Sequence, residues 1–345
     1  MRILIPDAGF LGEPDIERQV AGPDAAVDVQ RARRADDVPD SSWASCDAMI
    51  LWQGVAILAA TVERLKRCRI IVRAGVGYDD VDVTACGERG IPVCNVPDYG
   101  TSEVADHTIA LMLALTRGIA TFHEVLKRDP VRGWRYLAAP LVQRLRGKTF
   151  GVIGLGRIGA ATALRARAFG LEAAFYDPHL PDGHELALGF GRAQTLDGLL
   201  ARADVVSLHT PLTDETRGMI DKRAIARMKQ GALLINTARG ALVDLEALYD
   251  GLKEGPLAGA ALDVMPEEPP DSTHPLVRAW QNDEPWLTGR LIITPHAAFY
   301  SPAGIEELRR KTAQTVVDYL RDGRLRNCVN AELLSARPGQ GPARG

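Results

Sequence analysis

Short apolar runs recur along the chain between polar, helix-forming stretches. In the first hundred residues they fall at 3–5, 27–29, 48–52, 70–72 and 93–96, with segments such as 61–66 between them. This rhythm predicts strands joined by helices, and hence a parallel sheet. A second series starts after Lys148, with runs at 150–153, 173–176, 205–208, 233–235, 260–262 and 291–293. Helix-like stretches at 196–201, 222–228 and 245–253 lie between them. Six such runs fit a six-stranded doubly wound sheet. Between the two series, Thr101 or Ser102 can cap a helix running to Arg117. It is too apolar for a surface helix and is predicted to be buried between domains or subunits. The connection 133–148 carries Trp134 and Tyr136 as candidate interface anchors. The stretch 271–289 breaks the rhythm. It reads as a long polar connection around His274, Pro275, Trp280, Pro285 and Trp286, of the kind that serves function or an interface. A last helix is predicted over 302–321. A disordered tail, 331–345, rich in Pro, Gly and Arg from Ser335 onward, follows.

Composition changes this picture little. With 345 residues, 25% charged and 46% apolar, the chain can build two cores of ordinary globular type. A net charge of −3 gives no electrostatic case for nucleic acid or an anionic membrane as partner. Arg31, Arg33 and Arg34 are followed at once by Asp36 and Asp37 and read as a solvated face. Cys46, Cys68, Cys86, Cys94 and Cys328 are scattered, with no C-x-x-C pair, so neither a disulfide framework nor a zinc site is suggested. Reduced thiols and a cytoplasmic location are the simple expectation. The N-terminal apolar run is too short for a signal peptide, and no apolar stretch reaches the ~18 residues of a membrane span.

The chemistry begins at Gly154-x-Gly156-x-x-Gly159, between the run 150–153 and a helix predicted over 160–169. Gly154 permits a tight turn, Gly156 lets the backbone approach a pyrophosphate, and Gly159 lets helix pack on strand. The helix N-terminus offers N–H donors to phosphate. Asp177 ends the next run, where an acid would hold a ribose 2′-OH. Pro178 and His179 follow it, with no Arg, which favours NAD over NADP. An ordinary glycine turn is the alternative, but strand, helix and acid all stand where a dinucleotide needs them.

In open α/β sheets ligands bind beyond the carboxyl ends of the strands. Those ends carry His209-Thr210-Pro211, Asn236-Thr237-Ala238-Arg239, Asp263 with Glu268, and Thr294-Pro295-His296. Arg239 offers a planar fork of donors to a carboxylate and its neighbouring carbonyl. His296 can give or take a proton near neutral pH, and Glu268 can orient its ring. With a nicotinamide, this set suits reduction of a 2-keto acid or oxidation of a 2-hydroxy acid. Singly, each residue has a bland reading, a surface ion pair or a strand-end turn; the case rests on their convergence. His209 is expected to line the cofactor side, and His107 to be a satisfied interface residue. His123, His179, His184 and His274 have no evident partners, and no cluster has metal-ligand spacing. In the first series, Arg73-Ala-Gly75-Val76-Gly77-Tyr78 places glycines at a strand end, suited to close approach of a ligand or to a plain turn.

The chain resembles the D-isomer-specific 2-hydroxyacid dehydrogenases. The resemblance covers roughly residues 3–330 and rests on Arg73-Ala-Gly-Val-Gly-Tyr-Asp79, Gly151-Val-Ile-Gly-Leu-Gly-Arg-Ile-Gly159, Asn236-Thr-Ala-Arg-Gly240, Ala261-Leu-Asp-Val264 with Glu268-Pro269, and Thr294-Pro-His-Ala-Ala298. Phe175-Tyr-Asp-Pro178, Pro295-His-Ala-Ala-Phe-Tyr-Ser301 and Asn327-Cys-Val-Asn330 are similar to the branch of C-terminal-binding proteins, which are NAD-binding co-repressors. The resemblance implies an α/β chain of two doubly wound domains. A six-stranded Rossmann cofactor domain, 100–296, is inserted in a discontinuous flavodoxin-like substrate domain, 1–99 plus 297–330. It implies Arg239, Glu268 and His296 as the catalytic set. Cofactor contacts carry over onto Val76, Gly154, Gly156, Arg157, Ile158, Gly159, Asp177, His209, Thr210, Pro211 and Thr216, and at the nicotinamide end onto Thr237, Ala238, Arg239, Asp263 and His296. Arg73, Val76 and Gly77 carry over as substrate contacts, with Trp52 and Gln53 at the mouth for the acid's side chain. A homodimer built on the long helix and the cofactor domain is implied. Trp52-Gln53 and Phe299 depart from the co-repressor branch, so its substrate preference does not transfer. Two functions remain open: an NAD-dependent dehydrogenase, and an NADH-sensing regulatory protein with weak turnover.

Overall fold

Each apolar run becomes a strand in one of two parallel sheets. The computed structural model describes residues 1–137 and 139–335. The first sheet comprises β1 (Arg2–Ile5), β2 (Ala26–Val29), β3 (Ala48–Leu51), β4 (Ile71–Arg73) and β5 (Val93–Cys94), in the order β2-β1-β3-β4-β5. That is the flavodoxin-like order. Every residue of β3, β4 and β5 is buried, as expected where helices cover both faces of a parallel sheet. Leu4, Trp43, Met49, Leu51, Ile71 and Val93 lie in one core cluster.

The second sheet comprises β6 (Thr149–Ile153), β7 (Glu172–Tyr176), β8 (Gly191–Arg192), β9 (Val205–Leu208), β10 (Ala232–Asn236), β11 (Leu257–Leu262) and β12 (Leu291–Ile293). Its order is β12-β11-β10-β9-β6-β7-β8, the doubly wound Rossmann arrangement with one strand added beyond β11. The count is therefore seven, not six. The strand missed from sequence is β8, two residues long and half polar, which no periodicity could reveal. Two buried clusters pack against this sheet, one around Leu234, Leu248 and Leu262, the other around Phe150, Val152 and Phe175.

The described chain divides into two compact units, 1–99 with 301–335, and 100–300, joined by two crossings. The second crossing falls after Tyr300, not after His296 as expected. The physical reason is local: Ala297 and Ala298 donate their N–H groups to Asp263, which binds them to the cofactor unit.

Two further expectations are corrected. The stretch 271–289, read as a long polar connection, contains a helix. Pro275–Gln281 is a helix whose N–H at Leu276 is capped by His274 Nδ1 at 3.1 Å. It buries Leu276, Val277 and Ala279, and Trp286 meets Tyr249 edge to face at 5.7 Å. His274 Nε2 also lies 3.3 Å from Glu246, so this histidine has partners after all. The interval 331–335 is a short helix rather than tail, with Leu333 over Gly87, where any Cβ would collide with it. The rest of the predicted tail, 336–345, lies outside the described residues.

Helix Thr101–Arg117 belongs to the cofactor unit. Leu111, Met112 and Leu115 join the Phe150 cluster. Among the described residues no single helix is long and apolar enough to cross a membrane. Helix Thr101–Arg117 with Ile119–Arg128, bent by 56°, passes as a pair by length and composition, but the first of the two is a core helix.

Candidate active site

β6 runs straight into the glycine turn. Gly154 has φ +87°, a conformation L side chains rarely adopt. A Cβ on it would also press on the His209–Thr210 backbone. A Cβ on Gly159 would overlap the Gly154 carbonyl, so glycine there is what lets helix Arg157–Ala168 close on the turn. Gly156, by contrast, faces open space, as a position reserved for phosphate approach requires. Arg157 and Ile158 open the helix and Gly156 is its N-cap. Asp177 ends the next loop inward: its Oδ2 accepts Leu155 N–H at 2.9 Å and its Oδ1 accepts His179 N–H at 3.0 Å. The turn and the acid are thus built as one cradle that fits a dinucleotide.

β9 delivers His209. Burial lowers its pKa to about 3, so the ring is neutral, with Nε2 2.8 Å from Ser207 Oγ. Thr210 and Pro211 follow, and Thr216 braces their loop by donating its hydroxyl to Pro211 O at 2.7 Å. β10 delivers Thr237, Ala238 and Arg239. The fully buried Asn236 clamps them: Nδ2 donates to Arg239 O at 2.8 Å and Oδ1 accepts Ala238 N–H at 3.0 Å. Arg239 Nη1 donates to Ala238 O at 2.8 Å, which fixes the guanidinium against its own loop.

β11 delivers Asp263, 1% exposed, and β12 delivers Thr294 and His296. Glu268 Oε2 lies 2.7 Å from His296 Nδ1, and Glu268 Oε1 accepts Met265 N–H at 3.0 Å. Burial raises the Glu268 carboxyl. The hydrogen bond and charge of His296, with Met265 N–H and the Arg239 charge, outweigh it and hold Glu268 below its ordinary value. Glu268 thus meets both His296 and the Arg239 charge at one sheet edge. An anionic Glu268 at Nδ1 leaves proton transfer to Nε2.

His107, expected to be a satisfied residue, is satisfied within this unit: its Nε2 lies 3.2 Å from Thr294 Oγ1 and 3.6 Å from Asp263 Oδ1. Its neighbour Thr108, wholly buried, shares a 2.9 Å hydrogen bond with Thr237. The signal was present, since a His-Thr pair directly precedes the apolar stretch Ile109–Leu115 of this helix. The long helix thus ties two strand ends of the site together.

The remaining candidates lie in the other unit. Arg73 is 5% exposed; its Nη1 donates to Ala74 O at 2.8 Å and its Nε lies 3.4 Å from Asp80. It braces the loop that carries Val76 and Gly77, whose outer face is open: Val76 is 37% exposed. Asn95 Nδ2 donates to Val76 O at 2.6 Å. Trp52 is 3% exposed, packed against Phe10 at 5.7 Å, while Gln53 is exposed.

A doubly wound sheet with a glycine turn and an acid at one edge is the arrangement of a dinucleotide-binding domain. More particularly, the chain belongs to the D-isomer specific 2-hydroxyacid dehydrogenases, and residues 109–298 match that family's NAD binding domain. It is 37% identical over 318 residues to a D-3-phosphoglycerate dehydrogenase of Methanocaldococcus jannaschii, covering 92% of this chain but 56% of that protein. It thus spans little more than half the length of that relative. It is 34% identical to a glyoxylate reductase of Korarchaeum cryptofilum, covering 94% and 92%. A D-lactate dehydrogenase from Aquifex aeolicus, solved with NAD and lactic acid, superposes with TM-score 0.81 at 28% identity, covering 99% of this chain and all of that one. An NADPH-dependent glyoxylate/hydroxypyruvate reductase from Sinorhizobium meliloti, solved with NADP and malonate, gives 0.82 at 28%, covering 96% and 97%.

Proposed function

We propose that this protein interconverts a 2-keto acid and a D-2-hydroxy acid with NAD(H). The observation that carries this reading is the 2.7 Å Glu268–His296 contact beside the Arg239 charge, at the strand ends next to the glycine cradle. When bound, the nicotinamide supplies or accepts the hydride. Gly154, Gly156, Arg157, Ile158 and Gly159 hold the pyrophosphate, and Asp177 the ribose. His209, Thr210, Pro211 and Thr216 line the cofactor, with Thr237, Ala238 and Asp263 toward its nicotinamide end. Arg239 receives the substrate's carboxylate and carbonyl oxygen. His296 Nε2 gives its proton to the forming alkoxide, or takes it from the alcohol in oxidation, while Glu268 steadies the charged ring. In the other unit, described by itself, the resemblance gives Val76, Gly77 and Gln53 to the substrate, with Arg73 bracing the Val76 loop and the buried Trp52 behind Gln53.

The same reading includes a cytoplasmic homodimer. Its support is the exposed apolar set Val131, Trp134, Tyr136 and Leu137, each at least 80% accessible on a single chain. The similarity of 175–178 and 295–301 to the co-repressor branch supports the regulatory alternative, an NADH sensor with weak turnover. Oxidation of NADH and NADPH against a panel of 2-keto acids separates the two. Turnover that disappears in Arg239→Ala and His296→Ala supports the dehydrogenase; tight NADH binding with no turnover on any keto acid supports the sensor.

A further inference from the structure

β5 ends beside the C-terminal segment, and the two are joined by an isolated antiparallel bridge between Cys94 and Cys328. Val329 N–H donates to Val93 O at 2.8 Å and Asn95 N–H donates to Asn327 O at 3.2 Å. The backbone bonds thus flank the cysteines on both sides, which makes Cys94 and Cys328 a non-hydrogen-bonded cross-strand pair. Such pairs hold their Cα atoms about 4.5 Å apart with side chains facing, inside the roughly 4.4–6.8 Å window a disulfide accepts. The thiols already interact: a hydrogen bond from Cys94 lowers Cys328 to about 7, while the same contact and burial raise Cys94.

The other three cysteines do not share this setting. Cys46, Cys68, Cys86 and Cys94 are buried, whereas Cys328 is partly exposed. Cys46 and Cys68 also interact through their thiols, but both are enclosed in the core, with Cys46 donating to Trp43 O and Cys68 to Ile70 O. Cys328, whose Sγ donates to Asn330 Oδ1 at 3.3 Å, is thus the cysteine of this set that a reagent can reach.

We propose that Cys94 and Cys328 are a two-thiol redox site, closed to a disulfide by a small peroxide. The Cys328 thiolate attacks one peroxide oxygen, the O–O bond breaks and hydroxide leaves, giving a sulfenic acid. Cys94 sulfur then attacks Cys328 sulfur: the S–S bond forms, the S–O bond breaks, and the Cys94 proton departs with that oxygen as water. Two thiols lose two electrons and one peroxide becomes two waters. An external dithiol reverses the step.

The bond sits where it can bear on the Val76 loop. The residues following Cys94 hold that loop, through Asn95 Nδ2 to Val76 O and Val96 N–H to Gly75 O at 2.9 Å. On the other side Asn330 receives Val93 N–H at 2.9 Å and donates to Ile91 O at 3.1 Å. A link at Cys94–Cys328 closes this frame covalently across most of the chain, and such long loops constrain the unfolded state strongly.

The test uses the folded full-length protein treated with hydrogen peroxide and then mapped by mass spectrometry without reduction. The expected result is loss of two hydrogen masses, one cross-linked peptide joining Cys94 to Cys328, an upward shift in melting temperature, and reversal of all three by dithiothreitol. Cys328→Ser and Cys94→Ala each abolish the link while keeping a native circular dichroism spectrum; should Cys94→Ala fold poorly, Cys328→Ser carries the test alone. A link between Cys46 and Cys68 instead, or Cys328 carried on to its sulfinic acid with Cys94 still a free thiol, overturns the proposal. None of these readouts depends on turnover, so a failure here is distinct from a failure of the proposed dehydrogenase activity.

Discussion

Asp263 holds the backbone at His296 with three hydrogen bonds: His296 N–H donates to Asp263 O at 2.7 Å, and the next two N–H groups, of Ala297 and Ala298, donate to the Asp263 carboxylate at 2.9 Å each. Thr294, two residues before it, donates its hydroxyl to the same carboxylate. His296 itself has φ +51°, the left-handed region, which costs a side-chain-bearing residue on the order of 1–2 kcal/mol. Asp263 is the device that holds this conformation and so aims the imidazole.

Asp263→Ala is expected to strand those donors, at about 1–3 kcal/mol for each buried unpaired group. The loss in kcat should exceed what the lower melting temperature explains, because the ring loses its aim. Thermal melts and steady-state kinetics on the same preparation check this. A variant that melts early yet keeps full kcat would reduce Asp263 to a purely structural role.

Glu268→Gln leaves the fold intact, since the Glu268 side chain is 40% exposed, but removes the charge that steadies a protonated His296. A fall in kcat of about 10²-fold is expected, at the lower end of what one acid–base partner contributes. The wild-type carboxyl is held below its ordinary value. Its interaction with His296 is therefore present at neutral pH and lost as pH falls through that lowered value. The acid limb of the wild-type rate profile should vanish in Glu268→Gln. Parallel profiles for the two proteins would sink this role.

On the proposed reading Asp177 meets the cofactor's ribose and so discriminates between the two nicotinamide cofactors. Its carboxylate is anchored by Leu155 and His179 N–H groups, which fixes its charge at the end of β7. Asp177→Ser should lower the NADH-to-NADPH ratio of kcat/KM by tenfold or more, about 1.4 kcal/mol. An unchanged ratio would place cofactor discrimination elsewhere.

Much of this site was readable in the residues because each functional group stands at the carboxyl end of an apolar run. Gly154, Asp177, Arg239 and His296 all follow strands whose burial both predicts the strand and fixes where it ends. What escaped reading was held by long-range contact. His107 lies 187 residues from Thr294, and Thr108 lies 129 from Thr237. Nothing local to either residue tells which strand end it will meet. The helix Pro275–Gln281 escaped for the opposite reason. Its signals are local, a histidine cap and Pro275 at its first turn, but the polar runs Asp271-Ser272-Thr273 before it and Asn282-Asp283-Glu284 after it mask a short apolar face.

His209 couples the cofactor side of the site to acid stability. Its ring sits at the end of β9, with Nε2 against Ser207 Oγ, and burial depresses its pKa from 6.5 to about 3. In the unfolded chain the imidazole takes up a proton as pH falls through 6.5, while in the fold it stays neutral until about 3. Unfolding therefore binds a proton in that window, and stability falls as pH falls, by up to about 1.4 kcal/mol per pH unit. Above 6.5 the two states bind protons equally at this residue and the effect is absent. His209→Asn, which keeps a polar group near Ser207 but cannot titrate, should flatten the decline in urea midpoint between about pH 7 and about pH 5. Carboxylates elsewhere titrate alike in both proteins, so the difference between the two slopes isolates His209. If the slopes run parallel, the ring is protonated in the fold as readily as in the unfolded chain, and the neutral imidazole beside the glycine turn is not a feature of this site.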